Sequence, residues 1–181
     1  MKVVATDLPG VLLLEPRVFS DNRGFFFESY NRQAFAEATG YSGDFVQDNH
    51  SHSVRGVLRG IHYQIKQPQG KLIRVVTGEV FDVAVDLRRS SPMFGKWVGY
   101  HLSAANHRMV WIPAGFGHVY LTLTDRVDFL YKTTDYYAPQ HERTILWNDP
   151  AIAIQWPLEG EPILNAKDQD GALLKQAEVF D

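Results

Sequence analysis

The stretch EVFDVAVDL, residues 79 to 87, alternates without a break. Phe81, Val83, Val85 and Leu87 share one face of an extended chain, and Asp82, Ala84 and Asp86 share the other. A helix cannot separate these side chains in that way, so the stretch predicts a strand in a sheet whose two surfaces are lined differently. Such sheets belong to sandwiches and barrels. KLIRVVTG, KWVGYHLS and DFLYKTT, together with FFFESY after the turn SDNRG, are rich in β-branched and aromatic residues and read as further strands. Many short strands with few helices predict an all-β, barrel-like fold. One helix stands out in NRQAFAEATG, with Asn31 as N-cap and Gly40 as its stop. LNAKDQDGALLKQAEVF near the C-terminus reads as a return to helix.

At 181 residues, without repeats or low-complexity tracts, the chain is expected to form one domain over 1–181. A formal charge of −3 supplies no general basic field, which argues against nucleic acid as a partner. Local arginines could still hold a small anion. The absence of cysteine removes disulfides, thiolate metal sites and thiol nucleophiles. MKVVATDLPG has no long apolar core, and VLLL is too short to cross a bilayer, so a soluble, cytoplasmic protein without a membrane partner is expected.

The chemistry centres on RGVLRGIHYQ, residues 55 to 64. His62 lies six residues after Gly56, and PAGFGH supplies Pro113, Gly115 and His118. This outline is similar to the metal-binding motifs of cupins, small β-barrels whose His-x-His pair points both imidazoles one way from a strand. Gln64 occupies the place of the second histidine, and no glutamate follows before Gly78. His62 and His118 alone are too few for a tight site, so no metal is expected. The other close pair, His50 and His52, reads as solvent-facing.

EPRVFSDNRGFFFESYN, FVQDNHS, VLRGIHYQ, QGKLIRV, GEVFDVAVDLR, WIPAGFGH, LYKTTDYYAP and WNDPAIAIQWP occur in that order. Together they closely resemble the dTDP-4-dehydrorhamnose 3,5-epimerases, metal-free cupins of jelly-roll type, from about residue 10 to Asp168. The resemblance implies a dTDP-linked 4-keto-6-deoxysugar as substrate and no cofactor. The C4 ketone of such a sugar acidifies the hydrogens on C3 and C5, and each can be removed to an enolate and returned on the opposite face.

By resemblance, His62 is the base, Asp168 orients it, Lys71 meets the enolate oxygen, and Tyr131 is the acid with Tyr137 as its rival. Arg59 and Arg23 match positions that suit a diphosphate. Glu28, Gln47, Asn49, His118, Glu142 and Lys167 match positions that contact nucleotide or sugar. The family's arrangement brings Arg23 and Glu28 from the second subunit of a homodimer; on sequence alone, FFFES fits a strand buried within one subunit equally well.

Arg59 and His62 are three apart, so a regular strand would send them to opposite faces. Both can reach one pocket only across a bulge, which Gly60 would permit. Ile61, Gly117, Val119 and Tyr120 depart from the commoner family pattern without touching the proposed catalytic groups. The alternatives are an epimerase of one carbon or a ketoisomerase on a related sugar, a cupin that binds a nucleotide sugar without turnover, and a metal-dependent oxygenase.

Overall fold

The computed structural model describes residues 1–181. Its strands are β1 (Lys2–Ala5), β2 (Leu12–Glu15), β3 (Phe19–Asp21), β4 (Gly24–Phe26), β5 (Gln47–Ser53), β6 (Leu58–Gln64) and β7 (Lys71–Thr77). They continue with β8 (Glu79–Asp86), β9 (Trp97–Ser103), β10 (Met109–Ile112), β11 (Phe116–Thr122), β12 (Val127–Thr133) and β13 (Glu142–Thr144). Two short helices, α1 (Arg32–Thr39) and α2 (Ala166–Gln169), complete the set. A six-stranded sheet runs β1-β2-β10-β7-β12-β5 and faces a five-stranded sheet, β13-β6-β11-β8-β9; β3 and β4 form a separate hairpin. This is a cupin-type jelly roll, with all named pairings antiparallel.

The alternation in β8 explains how the layers sit. Phe81, Val83, Val85 and Leu87 lie on the outer face of the five-stranded sheet, against Ile61, Val119, Leu121 and the C-terminal residues Ile152, Leu174 and Val179. Ala84, with Ile73, Val75, Val110, Val127 and Phe129, fills the space between the sheets. The more apolar face of β8 therefore points away from the barrel interior and is covered by the C-terminal segment. Burying each aliphatic side chain there contributes roughly 1.5–3 kcal/mol. On the outer face of the other sheet, Phe35 of α1 packs on Leu14, Leu72, Met109 and Trp111.

Helix α1 begins and ends as the sequence predicts. Asn31 Oδ1 accepts from the backbone N of Ala34 at 3.1 Å, and Gly40 takes the left-handed conformation that stops the helix.

One expectation fails, and one of two readings left open is excluded. The C-terminal stretch forms only the single turn α2 and a short 3-10 turn, Leu174–Gln176, with extended chain between and after them. Its apolar residues are used to cover the sheet: Ala172 bridges to Ile145 and Phe180 to Arg88. A continuous helix would pull those contacts away. The FFFES segment is not a buried strand either. Phe25 and Phe26 of β4 are 61% and 67% exposed, on a hairpin that joins neither main sheet.

Candidate active site

A cavity of about 370 Å³ opens between the two sheets, lined from β5, β6, β7, β11 and β12 and closed by residues of β13 and α2. Strand β6 carries two of its functional groups because it bulges. His62 pairs with His118 of β11, whereas Arg59 pairs with Tyr120, so three steps on β6 match two on β11. Gly60 lies in the bulge at φ +125°, and a Cβ there would stand 2.7 Å from the Cβ of Val119. The extra residue brings Arg59 and His62 to one cavity.

His62 Nε2 is 2.5 Å from Oδ1 of Asp168. Asp168 is fully buried in α2, where the side chain of Asn165 accepts from its backbone N at 2.8 Å and holds the turn. The other carboxylate oxygen, Oδ2, has no hydrogen-bond partner. Its charge is therefore directed at the imidazole alone. With Nε2 engaged, Nδ1 is the nitrogen left to take up a proton.

Lys71 begins β7 and is 8% exposed. Burial pushes its ammonium down to about 8, against the opposing pull of Glu142 and Asp82. It makes no salt bridge, so its charge is available to an anion formed in the cavity. Tyr131, on the inward face of β12, makes no hydrogen bond through its hydroxyl; burial raises its pKa, helped by Tyr120 and Glu142, and keeps it protonated. Tyr137 is 53% exposed at the rim and donates to Glu142 Oε2 at 3.0 Å. Of the two phenols, Tyr131 is the one whose hydroxyl is unpaired in the cavity.

Glu142 also accepts from Lys167 Nζ at 2.9 Å. Burial pushes the Glu142 carboxyl up, but Lys167 and Tyr137 outweigh it and hold the group below its usual range. Gln47 and Asn49 share one face of β5, with Gln47 Nε2 donating to Asn49 Oδ1 at 2.9 Å. Arg59 reaches only neutral oxygens, Ser53 Oγ at 3.2 Å and the His52 carbonyl, leaving its charge unpaired.

Eleven of the thirteen residues expected from the sequence line this one cavity. Arg23 and Glu28 do not. Arg23 pairs with Asp21 on the hairpin turn, and Glu28 accepts from Asn31. The sequence reading missed Asp82, which binds His118 Nε2 at 2.8 Å from beneath the cavity. Its signal was present: an aspartate opposite the apolar face of β8. It also missed Ser51, which continues the alternation of Gln47 and Asn49, and Asn165, three residues before Asp168 at the place of a cap. His50 and His52 are exposed as expected and both bond Oδ1 of Asp128, holding that carboxyl down to about 2.

The sequence model of the dTDP-4-dehydrorhamnose 3,5-epimerase family matches residues 5–176. The chain belongs to this family. It is 61% identical over 180 residues to the dTDP-4-dehydrorhamnose 3,5-epimerase of Pseudomonas aeruginosa, covering 99% of both chains. It is 57% identical over 178 residues to that of Salmonella typhimurium, covering 98% of this chain and 97% of the relative. Among solved structures, the dTDP-6-deoxy-D-glucose-3,5-epimerase of Legionella pneumophila, in complex with dTDP-4-keto-L-rhamnose, superposes with a TM-score of 0.96 at 47% identity. That match covers 98% of this chain and 94% of the other.

Proposed function

We propose that the chain is a dTDP-4-dehydrorhamnose 3,5-epimerase, converting dTDP-4-dehydro-6-deoxy-D-glucose to dTDP-4-dehydro-L-rhamnose. The observation that carries this reading is one cavity holding a carboxylate-backed imidazole, an unpaired buried ammonium and a phenol without a partner.

The steps follow from that set. Nδ1 of His62 takes a proton from the carbon beside the ketone, and the C–H electron pair moves onto the C4 oxygen as an enolate. Asp168 stabilises the imidazolium that forms. The ammonium of Lys71 stabilises the enolate oxygen, which carries full charge only after proton removal, so its help is greatest where the barrier lies. The enolate then re-forms a C–H bond on its opposite face with the proton of Tyr131, leaving a phenolate. Imidazolium and phenolate return to their starting states by exchange with solvent, and the sequence repeats at the second carbon. No electrons leave the sugar, so no redox cofactor is required.

Arg59 holds the diphosphate, while Gln47, Asn49, His118, Tyr137, Glu142 and Lys167 contact the nucleotide and sugar. Arg23 and Glu28 act from a second copy of the chain. Their absence from the cavity lining of their own protomer and the exposed Phe25 and Phe26 support a homodimer in which the hairpin crosses to the neighbouring site. A nucleotide-sugar substrate supports a cytoplasmic enzyme; no helix of the chain is long and apolar enough to cross a membrane.

Turnover of dTDP-4-dehydro-6-deoxy-D-glucose in D2O, followed by NMR, tests the reading. Deuterium at both C3 and C5 with the L-lyxo product is expected. Label at C3 alone would make the enzyme a single-carbon epimerase, and no label would overturn the reading.

A further inference from the structure

A second imidazole–carboxylate pair lies under the same cavity. Asp82 on β8 and His118 on β11 are diagonal neighbours on the inward faces of paired strands, since Asp82 stands opposite Tyr120 and Ala84 opposite His118. His118 Nε2 is 2.8 Å from Asp82 Oδ2, and the two side chains are 9% and 1% exposed. His118 lines the cavity, whereas Asp82 does not. On its other side the His118 ring stacks on Phe129, with centroids 6.0 Å apart and planes 23° from parallel.

Such a pair is a poor way to stabilise a barrel. Removing two charges from water costs as much as their attraction returns, and apolar residues of the same size would serve the core as well or better. What the pair does achieve is orientation. Phe129 fixes the plane of the ring, and the carboxylate fixes which nitrogen points down. Nδ1 is then the only nitrogen that a ligand can reach, in a cavity that also holds the unpaired guanidinium of Arg59.

We propose that Asp82 is a positioning residue for the anion-binding half of the site: it accepts from Nε2–H of His118, so that Nδ1 faces the cavity and, on taking a second proton as the anionic diphosphate binds, donates Nδ1–H to a diphosphate oxygen. This rests on the nucleotide-sugar reading of the cavity. The residue never touches substrate and acts through the ring above it. Its negative charge also opposes the loss of the Lys71 proton that burial favours.

Calorimetric titration with dTDP, and with uncharged thymidine, tests this on the wild type, Asp82→Asn, His118→Gln and the double variant. Asp82→Asn is expected to weaken dTDP by about tenfold, the loss of one charge-assisted hydrogen bond, with thymidine changed less than about twofold. In turnover its KM rises by more than its kcat falls. On the His118→Gln background the same substitution adds less than about twofold, because its route of action is gone. Asp82→Asn that binds dTDP like the wild type, or that loses dTDP and thymidine equally, would overturn the proposal, as would additive losses in the double variant.

A measurement on the wild type needs no variant to fold: nitrogen NMR of labelled histidine should show His118 protonated at Nε2 in the free enzyme and at both nitrogens once dTDP is bound. A ring whose bare nitrogen is Nε2 overturns the proposal. A wild type that binds no dTDP at all would instead bring down the nucleotide-sugar reading itself, and this inference with it.

Discussion

His62 and His118 stand opposite each other on adjacent antiparallel strands, and each gives Nε2 to a buried carboxylate. The two pairs are chemically alike but differently placed. The side chain of His62 is 25% exposed, so a proton it collects can exchange with solvent between turnovers. His118 is sunk in the floor at 9% and lies over a carboxylate that never reaches the cavity. The difference in exposure fits the proposed roles, His62 as the cycling base and His118 as a group that holds the substrate.

Substituting His62→Ala removes the proposed base. Deuterium wash-in at both C3 and C5, read by NMR, should fall to background. Asp168→Asn keeps the shape but loses the charge behind the imidazole, and should slow wash-in by about 10²–10⁴-fold. Wash-in at one carbon surviving in His62→Ala would require a second base.

Replacing Tyr131 by phenylalanine deletes the interior phenol while leaving the base in place. Hydrogen removal should continue, detected as loss of substrate deuterium, while formation of the L-lyxo product drops by at least about 100-fold. Tyr137→Phe should mainly raise KM, because that hydroxyl is spent on Glu142 at the rim. The opposite pattern would hand the acid role to Tyr137.

In the proposed mechanism Lys71 sets an alkaline limit on the rate. Its ammonium, brought down to about 8 by burial, is charged below that pH and neutral above it. Enolate stabilisation is therefore present at neutral pH and lost as pH rises through 8, and kcat should fall there. Lys71→Met should be slow at every pH and lack this limb. An alkaline limb that persists in Lys71→Met belongs to another group.

Gly60 allows the bulge that brings Arg59 and His62 together. A side chain there meets Val119 and must take φ +125°. Gly60→Ala should cost about 1–3 kcal/mol of stability, lowering Tm by several degrees, and should reduce activity more than a remote core substitution of equal cost. An active variant of unchanged Tm would remove the bulge from the account.

If the hairpin crosses between protomers, two dead variants should rescue each other. Arg23→Ala and His62→Ala, unfolded together and refolded, form mixed dimers in which one site carries both lesions and the other neither. Activity should return to roughly a quarter of the wild type, since random pairing makes half the molecules mixed and each has one good site. No recovery on mixing would place Arg23 in the service of its own subunit.

The amino-acid sequence by itself determined much of this protein, because the information is local. Alternation in β8 declares a strand whose faces differ, since side chains one residue apart must point opposite ways. The cap at Asn31 and the stop at Gly40 declare a helix for equally local reasons. The ordered motifs carried the family, and with it eleven residues that do share a cavity. The C-terminal segment was illegible because its helical composition is overridden by bridges to Ile145 and Arg88, contacts that no window of sequence contains.

Only the tertiary structure decided which face of β8 looks inward, since alternation separates two faces without saying what will cover either. It took the C-terminal segment to cover the apolar one and leave Asp82 beneath His118. It likewise took the pairing of β6 with β11 to turn the conflict between Arg59 and His62 into a bulge. Asp168 reaches His62 across 106 residues for the same reason. A strand's own geometry is written in its neighbours along the chain, whereas the partner of a buried charge depends on which distant segments pack together.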